Sequence, residues 1–484
     1  MKTHRYLIAF VMCVLLLPAT RTIAQEDFEE WMGKQNSAMQ EFMDARDKQF
    51  LEYLEQDWEQ FQAYEGLVRD PAPKPPEIPI ASAPAEEPLP EAPTVEVHPL
   101  PLTRKPQVTI PEPPAIPQTK GKRIRVPFHG HSLKFVLDPA MIRHPTGEAT
   151  QEAIQNYWKA MSQTDYSSFL GQVEEIGDRL GLNDWGFARL IYAISKEVAG
   201  GHQNNRILFS WFVLTKSGYQ LRSGYVENTL FLMFASENPV YEIPFLTVDG
   251  ENYYILLPEA GGTKIRALQT YEQAYPEADD RLSFFIQDAP VFPNEPVELE
   301  LEFKYGGEVY SVPITLNRNL IQFYDTYPQT DIPIYFGALL SEETARSLLT
   351  GLRSVVEGRP ETEAVNLLLR FVQTAFRYET DQQQFGRENY LFPEETLFYP
   401  ASDCEDRSAL FAYLVRNLLG LEVIGLDYPG HVATAVKFQA DVGRDSVVHN
   451  GENYTVADPT FIMAEYGMTM PALRGKTPKV FEIR

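Results

Sequence analysis

The sequence predicts an α+β fold spread over several units, and three observations lead there. At about 150 residues per domain, 484 residues suffice for roughly three cores. Stretches with the helical period alternate with stretches of strand period two, the mixture that helices packed on antiparallel sheets produce. A Pro-rich run between Pro71 and Pro117 separates these globular stretches from an earlier helical one.

Residues 1–24 have the layout of a secretory leader: Lys2 and Arg5, an apolar run from Leu7 to Leu17, and Thr22-Ile23-Ala24 before a cleavage near Ala24. That layout predicts an exported protein, periplasmic or associated with the cell envelope. The leader carries Lys2, Arg5 and Arg21 and no acid, so 67 acidic against 42 basic residues (−25) becomes 67 against 39 (−28) after cleavage. Such an excess of acid excludes nucleic acid as a partner, because phosphate contacts require Lys and Arg. An anionic membrane surface is disfavoured for the same reason. Met12-Cys13-Val14 lacks the small residues that precede a lipidated cysteine, and no later apolar run approaches the roughly 20 residues of a spanning helix.

Residues 25–70 predict one long acidic helix with an internal repeat. Phe28, Met39, Phe50 and Phe61 recur at a spacing of eleven, as do Trp31, Phe42, Tyr53 and Tyr64. Eleven residues in three turns is about 3.67 per turn, so the apolar seam runs nearly straight along the helix. Such a seam packs on its own protein, self-associates or docks on another envelope protein, which makes residues 28–64 the candidate partner surface. Residues 71–120, as in Pro71-Ala72-Pro73-Lys74-Pro75-Pro76, favour polyproline II and exclude a packed core of their own. The expectation is a stiff tether.

Residues 121–275 predict an α+β domain. Phe128-His129-Gly130-His131 lies on a strand-like stretch whose alternate residues share a face, so two imidazoles could meet a metal. No third ligand is evident, and no metal site is expected. Helical periodicity over 151–198 gives way to alternation over 207–257, with Trp211, Val213, Tyr241, Ile243, Tyr253 and Ile255 typical of sheet. Residues 276–336 predict a β-rich domain with strands over 281–287, 297–305, 309–317 and 320–324. Gly306-Gly307 between two alternating runs marks a hairpin.

Residues 337–484 carry the chemistry. Ser341 caps a helix, and 361–376 present Val365, Leu368, Leu369, Val372 and Phe376 on one face of another. The segment from Tyr399 to Leu410 reads as a loop ending at a helix with Cys404 in its first turn. Free N–H groups and the positive end of the helix there favour thiolate, lowering a cysteine from its usual value of about 8.5. Outside the leader Cys404 is the sole cysteine, either a buried small hydrophobe or a reactive group. A strand over 421–428 turns at Pro429-Gly430 so that His431 opens the next, and a turn at Asn450-Gly451 leads to a strand ending at Asp458.

A cysteine at a helix start with a histidine and an aspartate on neighbouring antiparallel strands gives nucleophile, base and orienting carboxylate. Asp403-Cys404-Glu405-Asp406 with Ala409-Leu410, Gly430-His431-Val432-Ala433 and Asp458-Pro459-Thr460 resemble the transglutaminase-like cysteine enzymes, a branch of the papain-like superfamily, over about residues 360–465. The resemblance implies a catalytic Cys404, His431 and Asp458 acting on a peptide or protein amide through a thioester. It implies Cys404 N–H as an oxyanion donor, with Tyr378 the candidate for a second. No metal or organic cofactor is needed, and peptidase or amidase chemistry leads over protein cross-linking.

The alternative is a non-catalytic envelope scaffold that keeps the fold for binding. A fainter echo over 180–257, where Asp184-Trp185-Gly186-Phe187-Ala188-Arg189-Leu190 follows the outline of the cysteine helix with Trp185 in place of the cysteine, suggests a degenerate copy beside the plainer reading of an unrelated α+β domain.

Overall fold

The structure, a computed structural model, describes residues 45–69, 74–82, 93–95, 121–143, 148–258 and 265–483. The leader and residues 28–44 of the eleven-residue repeat lie outside the described residues. The fold is mixed α+β, with one six-stranded and one five-stranded antiparallel sheet beside shorter two-stranded pairings.

Helix α1 (45–54) is followed not by more helix but by a turn and strand β1 (Glu59–Gln62). The expectation of one helix through Tyr64 therefore fails, and the packing gives the reason. Phe50 is fully buried against the rings of Trp158, Trp211, Tyr271 and Tyr275, with centroids 4.7 to 6.1 Å away. Phe61, on the same seam, instead pairs with Leu268 at the edge of a sheet. Asp47 pairs with the buried Lys216 ammonium, which lies 4.6 to 5.6 Å from the ring centroids of Trp158, Tyr166, Phe212 and Tyr275. Of the described seam residues, Phe50 and Leu54 are buried in this chain's own core, and Tyr64 is exposed.

Strands β2 (Lys122–Phe128) and β3 (His131–Leu137) form a hairpin ahead of helices α2 (Gln151–Met161), α3 (Tyr166–Leu180), α4 (Asp184–Val198) and α5 (Gln203–Lys216). Strands β4 (Leu221–Val226), β5 (Thr229–Ala235), β6 (Phe245–Val248), β7 (Glu251–Leu257) and β8 (Ala267–Thr270) complete a sheet of order β1-β8-β4-β5-β7-β6. Two readings are corrected here. Trp211 and Val213 belong to α5; it buries residues on every side, so no stripe marks it as a helix. His129 and Gly130, both at positive φ, are the turn between β2 and β3, so His129 and His131 are not alternate residues of one strand. His129 packs on Phe128 and Phe292, and His131 Nε2 lies 3.2 Å from Val291 O.

The Gly306-Gly307 turn joins β9 (Pro296–Tyr305) to β10 (Glu308–Asn317). Residues 320–324, expected as a strand, lie in α6 (Arg318–Tyr324), whose N-cap Asn317 accepts from Asn319 N. Then come α7 (Ile332–Gly337), α8 (Glu342–Val356), capped by Ser341, and α9 (Glu361–Ala375); α8 packs on β10 and α9 on β9.

The last region contains β11 (Arg377–Tyr378), α10 (Asp381–Gln384), α11 (Pro393–Phe398), β12 (Ala401–Ser402) and α12 (Cys404–Leu414). Strands β13 (Glu422–Tyr428), β14 (His431–Lys437), β15 (Ser446–His449), β16 (Glu452–Ala457) and β17 (Lys479–Glu482) form an antiparallel sheet of order β15-β16-β14-β13-β17. Helix α12 packs on β14, and a second core that includes Ile424, Ala433, Val456 and Ala81 covers the sheet's other side.

The presence of Ala81 in that core corrects the tether expectation for the described Pro-rich residues. Arg69 reaches Tyr390 Oη and Asp427 Oδ2 at 3.0 Å, Ala81 N donates to Ile462 O at 2.8 Å, and Val95 N donates to Arg359 O at 2.9 Å. A polyproline backbone satisfies none of its own hydrogen bonds, so it is free to lie on another segment and pair there. Among the described residues no helix is long and apolar enough to cross a membrane.

If α1 is a core element, Phe50→Ala leaves a cavity among four rings. The expected loss of stability is about 3–5 kcal/mol, to be read from urea unfolding of the full chain.

Candidate active site

The site is built around the first turn of α12. Asp403 is its N-cap and Cys404 its first residue, within the first turn where the sequence places the cysteine. Parallel pairing of β11 with β12 sets Tyr378 opposite Ser402, two residues before the cysteine. Ser408 Oγ, one turn along α12, donates to Val432 O at 3.1 Å and ties the helix to the residue after His431. Arg407, fully buried, holds the approach in place by donating to Ser402 Oγ, Gln373 O and Phe376 O, and its guanidinium lies 5.6 Å from the Tyr378 ring centre.

His431 Nε2 lies 2.9 Å from Asp458 Oδ2, and both residues are buried. With Nε2–H donating, Nδ1 is the nitrogen free to act as a base. The other oxygen of Asp458 accepts from Thr460 N at 2.9 Å and Phe461 N at 3.2 Å, which fixes the carboxylate just beyond the end of β16. Gln373 of α9 secures the same turn, its amide donating to Asp458 O, Phe461 O and Ala464 O.

Cys404 does not join this pair by a hydrogen bond. Its thiol donates to Glu405 Oε2 at 2.9 Å, and the side chain is 1 % exposed. The expected lowering of its pKa is reversed: burial, reinforced by the Glu405 and Asp403 charges, pushes the thiol well above its ordinary value, against the pull of Lys74. A helix start supplies about half a positive charge, which burial together with the adjoining carboxyl groups outweighs.

Lys74 is the group that sequence reasoning missed. Its ammonium lies 2.8 Å from Asp403 Oδ2, 2.8 Å from Glu405 Oε1, 2.6 Å from Glu388 Oε1 and 3.5 Å from Asp381 Oδ2. Burial works against its charge, but Glu405, Asp403 and Asp381 outweigh burial and hold Lys74 well above the ordinary lysine value. In return, although burial alone would raise Glu405, Lys74 and its hydrogen bonds draw it down to about 2. Burial lifts Asp381 and Asp403 well above the carboxylate range, and Asp406 to about 7. The acidic run Asp403-Cys404-Glu405-Asp406 was a signal that a cation must reach the cysteine.

Tyr378 donates to Pro75 O at 2.9 Å, and burial together with the Cys404, Asp403 and Glu405 charges raises its phenol. Donor atoms of Asp403, Cys404 and Glu405, and of Asp381, Asp403 and Asp406, cluster within 4.8 Å, close enough to hold a metal ion; Lys74 contacts members of both sets. No known family model matches the chain, and no curated protein or solved structure matches it.

Because Asp406 titrates at about 7 in the fold against 3.8 ordinarily, the folded state holds a proton there that the unfolded chain has released. Stability therefore falls as pH rises across that window and levels above it. Asp406→Asn is expected to flatten part of this fall, measured as urea midpoints at about pH 4.5 and 7.5.

Proposed function

We propose that the chain is an exported thiol enzyme of the transglutaminase-like kind, acting on a peptide or protein amide, with hydrolysis ahead of cross-linking. The observation that carries this reading is the buried His431–Asp458 pair at 2.9 Å, with His431 on β14, the strand against which the cysteine-bearing helix packs.

In the proposed reaction His431 Nδ1 takes the thiol proton and Cys404 sulfur attacks the amide carbon. The C–S bond forms, the C–N bond breaks, and the imidazolium returns its proton to the leaving amine. Water, deprotonated by the same imidazole, then adds to the thioester; the acid leaves and the thiol is restored. Cys404 N–H at the helix start is one donor for the oxyanion, and Tyr378 Oη the second. Asp458 holds the imidazole's orientation and supports its charged form. No step calls for a metal or organic cofactor. For this chemistry the thiol must exchange its Glu405 hydrogen bond for one to His431.

A binding scaffold is the second reading, and the specific observation in its favour is the buried thiol, bonded to Glu405 and raised in pKa.

Iodoacetamide labelling of Cys404 in the folded chain separates the two. His431 and Asp458 do not touch Lys74 or its carboxyl partners, and the position of the pH profile, rather than the absolute rate, reports the thiol's chemistry. His431→Ala is expected to label about tenfold or more slowly than wild type near pH 7, with the pH profile displaced upward. Identical profiles for wild type, His431→Ala and Asp458→Asn would leave only the scaffold.

A further inference from the structure

Residues 74–82 lie over the site in a way a structural ion pair does not require. The segment is pinned at two ends: Lys74 enters the acidic pocket, and Ala81 is buried against the second core with its N–H on Ile462 O, four residues past Asp458. Between the pins Pro75, Pro76, Glu77, Pro79 and Ile80 are exposed. Pro75 O accepts from Tyr378 Oη, so a peptide carbonyl of this strap already occupies the hydroxyl assigned to the oxyanion.

The pocket is more acidic than one internal lysine needs. Four carboxyl groups contact the ammonium, and two of them, Asp403 and Glu405, flank the cysteine in sequence. Asp403 is fully buried, and its Oδ1 has no hydrogen-bond partner among the described residues. Burying surplus carboxylates is costly, and a pocket serving only to anchor a strap would gain by losing some of them. The pocket's place beside the thiol gives the surplus a use: whatever cation it holds presents its attached backbone to Cys404.

We propose that residues 74–82 are an internal stand-in for substrate, and that the pocket of Asp381, Glu388, Asp403 and Glu405 recognises the primary ammonium of a lysine-type side chain near the amide to be attacked. The inference deepens the thiol-enzyme reading and rests on it for the word substrate. The resting chain is then closed by its own Pro-rich segment, and opening exposes both the thiol and the pocket.

The test uses the full chain, iodoacetamide, and n-butylammonium as the pocket probe. Lys74→Gln is expected to raise Cys404 labelling about tenfold or more, because a buried ion-pair network loses its cation. Millimolar n-butylammonium should then slow labelling saturably in Lys74→Gln, as should the peptide Lys-Pro-Pro-Glu-Ile-Pro, whereas tetramethylammonium at equal ionic strength should not. Should Lys74→Gln fail to fold, Ala81→Arg loosens the other pin and leaves the acidic pocket intact, with the same gain in labelling expected. Wild-type labelling in a folded pin variant would overturn the strap. Protection by magnesium or calcium in place of n-butylammonium would overturn the ammonium assignment. Neither result depends on His431, so a failed strap and a failed catalytic pair show in different variants.

Discussion

Five carboxyl groups, those of Asp381, Glu388, Asp403, Glu405 and Asp406, gather around the first turn of α12, and the arrangement depends on an ammonium reaching them from more than three hundred residues away in sequence. Ionised carboxylates cannot be buried side by side without a cation or a shared proton. The fold uses both: Lys74 keeps Glu405 ionised, while Asp381, Asp403 and Asp406 are held toward the protonated form. The state of the thiol follows from its burial and from the ionised Glu405 beside it rather than from the helix start, whose terminal dipole they outweigh.

That dependence makes the N-terminal segment part of the globular fold. Its described pieces insert Phe50 into the first core, add β1 to the six-stranded sheet, set Arg69 on Tyr390 and Asp427, fill the acidic pocket and reach Arg359 through Val95. Proline cannot donate to a ladder, so beyond β1 these contacts are isolated bridges and single side chains. Such a path can lift from the surface piece by piece, as a continuous strand could not.

Much of the C-terminal architecture was legible because its signals are local. A Ser cap before acids marks α8, an apolar face marks α9, and turns at Pro429-Gly430 and Asn450-Gly451 delimit β14 and β16 around His431 and Asp458. Legibility ended where burial or distance governs. Helix α5, apolar on nearly every side, has the composition of a strand; His129 takes a turn conformation that its neighbours do not announce. Lys74 could not be found at all, since nothing near Pro73-Lys74-Pro75 names the carboxylates it meets. Composition excluded a core within the Pro-rich run, but not a place for that run on someone else's core.

The two halves of the site share a scaffold, through Ser408 on Val432 O and Arg407 on Gln373 O, but their reactive side chains are held by different groups. Asp458 and His431 are held by the turn after β16 and by Gln373, none of which involves Cys404, whereas the thiol is held by Glu405, whose ionisation depends on Lys74. In the proposed exchange a substrate ammonium replaces Lys74, and the pocket is charge-balanced before and after but not between. A neutral chain that displaced the strap would leave Glu405 buried without its cation, at a cost of several kcal/mol. The same acidity that keeps the thiol quiet in the closed chain therefore selects what can open it, and the base waits already oriented on its own strand.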